Sequence, residues 1–189
     1  MIKLSQYSVK LAFSCVVAYI IASTAAVIAQ PKPSQTNSVT KLTPTQLKVL
    51  RSLGLKVALP SYIPADFRAD KVLVSAGREN VDSLGYLVVY KNLSADKCFA
   101  IESVSGGIGD LPSGTRSYPI NSPIFGRSVL EQGVYGNAKQ PTLLSQWLGS
   151  ENGLFYRFVG TGIIPELSNC SNVTPQEAVR ITQSIRYLN

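Results

Sequence analysis

Gly85-Tyr86-Leu87-Val88-Val89-Tyr90-Lys91, then Asn92-Leu93-Ser94-Ala95-Asp96, then Cys98-Phe99-Ala100-Ile101-Glu102-Ser103-Val104 carry a strand–turn–strand pattern. The outer runs are rich in β-branched and aromatic residues, and the middle is built of turn formers. Too few residues lie between the runs to make a helix, so they are expected to pair antiparallel. Working outward, further strands are expected at Phe67 to Val74, Thr115 to Ile120, Ser128 to Val134, Leu143 to Leu148 and Leu154 to Val159. Gly106-Gly107-Ile108-Gly109-Asp110 and the hairpin-like Ser150-Glu151-Asn152-Gly153 punctuate them. No helix-length pattern intervenes, which favours an antiparallel meander over βαβ units.

Helical periodicity is confined to the two flanks. Thr43 can cap a short helix with Pro44 at its first position, Leu47, Leu50 and Leu53 as its apolar stripe, and Gly54 as its C-terminal stop. Leu55, Val57 and Leu59 then alternate with Lys56 and Ala58. At the other end, Thr174-Pro175-Gln176-Glu177 has the makings of a capping box. Ala178, Ile181, Ile185 and Leu188 recur behind it at helical steps, so a helix is expected from about 175 to 188. Burying each large aliphatic there contributes roughly 1.5–3 kcal/mol. The expected fold is α+β: a curved antiparallel sheet of about six to eight strands, with a short N-terminal helix and the C-terminal helix packed on a face.

Ahead of this domain, Lys3 and Lys10 precede an uncharged run from Leu11 to Ala29, and Val27-Ile28-Ala29 fits a cleavage site. The organisation expected is a signal peptide over 1–29, a polar, Pro-containing linker over 30–42, and one domain over 43–189. The apolar run is also long enough to serve as an uncleaved anchor. Either way the remainder is expected outside the cytoplasm: periplasmic, lumenal or secreted. Once Cys15 leaves with the signal, Cys98 and Cys170 are the remaining pair, most simply one disulfide. It closes a loop of roughly 70 residues, for which chain entropy gives about 4 kcal/mol.

The 189 residues carry a net charge of +7 and no histidine. The basic residues are dispersed, so no nucleic-acid partner is expected, and membrane contact is expected only through the first segment if it is retained. Without imidazole, Ser-His-Asp and Cys-His catalysis is excluded. No metal or cofactor is expected, because zinc would have to be held without histidine or free thiolate. Ser94-Ala95-Asp96-Lys97 has the Ser-x-x-Lys spacing of penicillin-binding enzymes but lacks their Lys-Thr-Gly companion, and reads better as a turn. Gly106-Gly107-Ile108-Gly109 lacks the following helix of a phosphate loop. Asp66 with Asp70, or Glu79 with Asp82, could form an acid/base pair only if folding aims both carboxylates into one cleft. Tyr86, Tyr90, Phe99, Trp147, Phe155, Tyr156 and Phe158 read as packing residues of strands. Asn92, Asn169 and Asn172 open N-glycosylation sequons, which matter only in a host that exports through an endoplasmic reticulum.

Leu59-Pro60-Ser61-Tyr62-Ile63-Pro64-Ala65-Asp66-Phe67, Gln146-Trp147, Gly153-Leu154-Phe155-Tyr156 and Thr182-Gln183-Ser184-Ile185 occur in an order that resembles a family of bacterial extracytoplasmic domains. Those domains accompany anti-sigma factors and are similar to the lipoprotein-carrier half-barrel class; the chain also resembles cyanobacterial exported proteins. Ala65-Asp66 stands where that family has a small residue and glycine. The resemblance implies a half-barrel and carries no catalytic residues. The function expected is that of an exported, non-catalytic binding or accessory protein, with an apolar small molecule or an envelope protein as partner. The alternative is a small carboxylate-dependent hydrolase of wall or surface polysaccharide.

Overall fold

The computed structural model describes residues 40–75, 84–105, 115–135, 140–149 and 154–188. In chain order these form α1 (Pro44–Ser52), β1 (Ala58–Pro60), β2 (Arg68–Ser75), β3 (Gly85–Asn92), β4 (Lys97–Ser105), β5 (Arg116–Ser122) and β6 (Gly126–Gly133). There follow β7 (Thr142–Ser145), β8 (Leu148–Gly149), β9 (Leu154–Val159), a 3-10 turn (Pro165–Leu167), α2 (Pro175–Gln183) and β10 (Ile185–Tyr187). The large sheet runs β2-β3-β4-β9-β7-β6-β5, with β8 beside β9, and every pairing is antiparallel. β1 and β10 make a separate two-stranded sheet. The class is therefore α+β, and the decisive hairpin supplies the central pair β3–β4.

Alternation along the central strands sorts side chains onto two faces. Register places Tyr90 opposite Phe99, Val88 opposite Ile101 and Ile101 opposite Phe158. These residues are fully buried on the first face, where they meet Leu50 of α1, Leu59 of β1, Ala178 and Ile181 of α2, and Ile185 of β10. Phe99 stacks on Tyr90 at 4.9 Å and on Phe158 at 5.4 Å, with Phe67 tilted against it at 5.3 Å. Tyr86 reaches from β3 to β1: its hydroxyl accepts from the Ala58 N–H (2.8 Å) and donates to the Ala58 carbonyl (2.7 Å). The Tyr156 hydroxyl likewise donates to the Lys56 carbonyl. Desolvation, as the largest effect, pushes the phenols of Tyr86, Tyr90 and Tyr156 well above their ordinary value of 10.0.

Several expectations are corrected by these contacts. The C-terminal helix stops at Gln183 rather than running to 188. Ser184 closes it, donating its N–H to the Arg180 and Ile181 carbonyls and its hydroxyl to Ile181. The Ser184 carbonyl then accepts from the Ser61 N–H (2.9 Å), and Ile185 to Tyr187 turn extended to pair with Pro60 to Ala58. Ile185 is still buried, but on a strand, because β1 offers a ladder that a further helical turn could not use. Of the capping box expected here, the structure shows the Thr174 half, which accepts from the Glu177 N–H; the reciprocal box sits at α1, between Thr43 and Gln46. The run Leu143 to Leu148 is two strands, β7 and β8, with Gln146-Trp147 between them. Leu42, counted with the linker, is 3 % exposed and belongs to the core. Residues 1–39, holding the expected signal segment, lie outside the described residues.

Tyr86→Phe leaves the Ala58 polar pair inside the core without its partner and is expected to cost about 1–3 kcal/mol in denaturant unfolding. The raised phenols stabilise the fold fully below pH 10.0 and less as pH rises beyond it, since the unfolded chain releases those protons first. Alkaline titration followed by tyrosinate absorbance is expected to show a cooperative transition above that pH, coincident with loss of near-UV circular dichroism. Gradual ionisation without unfolding would contradict it.

Candidate functional site

The second sheet face is divided into two cross-strand rows. Val89, Ala100, Val159 and Leu144 lie side by side across β3, β4, β9 and β7. The segment after β9 covers this row with Leu167, Ile163 and Ile164. Gly160 lets that segment leave the sheet, because a Cβ there would lie 2.5 Å from the Asn172 side-chain oxygen and 2.6 Å from the Leu143 carbonyl. Cys98, fully buried on β4, is disulfide-bonded to Cys170, with Cα atoms 5.8 Å apart. The link is reinforced by hydrogen bonds from the Cys98 N–H to the Ser171 carbonyl (3.1 Å) and from the Ser171 N–H to the Asp96 carbonyl (2.8 Å).

The adjacent row is Leu73, Leu87, Glu102 and Arg157, directly opposite one another across β2, β3, β4 and β9. Arg157 Nε pairs with Glu102 Oε2 at 2.5 Å, their side chains 18 % and 23 % exposed. The guanidinium lies 4.1 Å from the centroid of the Trp147 ring. Trp147, Leu87, Val104 and Phe155 are half-buried here, and Leu73 is exposed. Among the aromatic residues of the strand-like runs, Trp147 and Phe155 thus stand apart from Tyr86, Tyr90, Phe99, Tyr156 and Phe158, which fill the core. Arg157 and Glu102 escaped the sequence reading. Their shared phase, opposite to that of Phe158 and Ile101, was the signal for them once β4 and β9 are known to be neighbours.

The carboxylate and serine candidates gather elsewhere. A cleft of about 340 Å³ is lined by Ala65, Asp66, Arg68, Lys91, Leu93 and Ser94. Asp70 ion-pairs with Lys91 at 3.1 Å, so Asp66 and Asp70 share this neighbourhood with cations rather than with a second free carboxylate. Lys41 donates to the Pro64 carbonyl (2.6 Å) and to that of Ala65; desolvation lowers its pKa, with Asp66 acting in the opposite sense. The Ser94 hydroxyl donates to Asn92 Oδ1 (2.8 Å), which also accepts from the Ser94 and Ala95 N–H groups, so Ser94 is part of a turn. Asn92 is buried and Asn172 accepts from Thr161 and Thr142, while Asn169 is exposed. Glu79, Asp82 and Gly106 to Gly109 lie outside the described residues. Among the described residues there is no group of three or more Cys, Asp or Glu placed to hold a metal ion, and no helix long and apolar enough to cross a membrane.

Comparison with family models, curated proteins and solved structures gave no match to this chain.

Replacing both Cys98 and Cys170 with alanine is expected to lower stability by roughly 2–5 kcal/mol. Hydrogen exchange of the reduced protein is expected to rise first between Gly160 and Ser171, where the tie is released. Protection lost evenly along the chain would count against that localisation.

Proposed function

We propose that this protein is an exported, non-catalytic binding or accessory module whose partner is an envelope or secreted protein docking on the Trp147–Arg157 row. The observation that carries this reading is a half-buried tryptophan stacked on an arginine that is 18 % exposed, beside the row that the segment after β9 covers. Tryptophan and arginine are the residue types that concentrate binding energy in protein interfaces. Glu102 pre-orients the guanidinium, which reduces the ordering cost of association.

Export is supported by the charge-then-apolar pattern of residues 1–29 and by the Cys98–Cys170 bridge. The resemblance to extracytoplasmic domains beside anti-sigma factors agrees with an accessory role. A protein partner is favoured over a lipid-like ligand because the described core is occupied by Tyr90, Phe99, Phe158, Ile101 and the residues of α2. The ion-paired Asp70 and the turn-bound Ser94 favour a non-catalytic role over the carboxylate hydrolase.

Crosslinking in the host envelope followed by purification of the chain tests the reading. Trp147→Ala and Arg157→Ala are each expected to reduce recovery of the crosslinked partner about tenfold, the loss of a contact worth roughly 1.4 kcal/mol, with folding monitored by near-UV circular dichroism. Equal recovery with folded variants, or a co-purifying lipid seen by native mass spectrometry in place of a protein, would overturn it.

A further inference from the structure

The β3–β4 turn presents Leu93 with 84 % of its surface exposed, well beyond any other large apolar side chain among the described residues; Val134 follows at 60 %. The turn is built to hold it there. Asn92, itself 8 % exposed, accepts three hydrogen bonds from Ser94 and Ala95 through Oδ1. Asp96 adopts a left-handed conformation (φ 48°), and its carbonyl accepts from both the N–H and the hydroxyl of Ser171, one residue from the disulfide. Leu93 therefore has little freedom to fold back, and its exposure is a fixed property of the surface.

Leu93 also stands on the rim of the cleft lined by Ala65, Asp66, Arg68, Lys91 and Ser94. A knob and a hollow of about 340 Å³ thus belong to one patch. We propose that this patch is an isologous contact between two copies of the chain, each Leu93 seated in the other's cleft. A two-fold axis satisfies both features at once, since whatever one copy offers the other receives. The charges agree. Arg68 and Lys91 line the patch with Asp66, and Lys41 and Asp70 stand at its margins. Such an interleaved, nearly balanced set is complementary to itself and repels neither copy, whereas its two carboxylates oppose an anionic membrane or polyanion. The contact is small compared with standard protein interfaces, so the pair is weak and exchanges rapidly. Lys91 has the same strand phase as Leu87, so the patch lies at the turn end of the same sheet face, separated from the Trp147–Arg157 row by the covered row of Val89 and Ala100.

Sedimentation equilibrium of the chain as its host processes it, over roughly 10 μM to 1 mM, tests the proposal. The average mass is expected to rise towards twice the monomer value with concentration. Leu93→Ser, at a solvent-facing position, is expected to weaken association about tenfold or more. Asp66→Arg and Arg68→Asp, both at exposed positions, are each expected to weaken self-association. Mixing these two variants is expected to restore it, because opposite signs then face each other across the axis. A parent chain that stays monomeric, a folded Leu93→Ser variant that associates like the parent, or charge variants that fail to rescue each other would overturn the proposal. Leu93-dependent binding to anionic vesicles without self-association would transfer the site to a membrane surface and overturn it equally.

Discussion

Phe99 is the side chain on which the architecture turns. Its ring lies between those of Tyr90 and Phe158, with Phe67 closing against it, so strands from three parts of the chain share one aromatic stack. β9 belongs beside β4 through this contact, although β5 to β8 intervene in sequence. Offset aromatic pairs of this kind add to the burial of their area, and the flat rings fix the lateral position of neighbouring strands. With β9 held there, β7 and β6 follow by pairing, and β5 becomes the far edge.

The same stack sets what is available on the opposite face. Because side chains alternate, burying Tyr90, Phe99 and Phe158 on one side sends Val89, Ala100 and Val159 to the other. An apolar row there has to be covered, and the segment carrying Leu167 and Cys170 does so. The next row differs in its chemistry. Glu102 and Arg157 satisfy each other, and Trp147 lies under the guanidinium, so that row tolerates partial exposure. An apolar row covered by the segment after β9 thus lies beside an amphipathic row of half-buried residues.

Local patterns accounted for much of this. Two-residue alternation located the strands from Phe67 onward to within a few positions, and the Thr43 and Thr174 caps marked both helix starts. The disulfide followed from the cysteine count in a chain with an export-like start. The misreading at Ile185 has a definite cause. Ala178, Ile181, Ile185 and Leu188 fit a helical stripe, but the pattern is equally served by a helix that ends before Ser184 and a strand that buries Ile185. Short apolar spacings fit both periods, and a ladder with β1 decides between them.

Turns, caps, strand phase, the absence of histidine chemistry and the Cys98–Cys170 pairing were all legible from the residues alone. These depend on neighbours within a few residues or on composition alone. Beyond the β3–β4 hairpin, which strands meet was decided only in three dimensions, because ladders accept many partners and the choice rests on side-chain packing across the sheet. The Glu102–Arg157–Trp147 group exists only once β4, β8 and β9 come together, and Leu93 is a knob beside a hollow only because the segment Ala65 to Arg68 passes its turn.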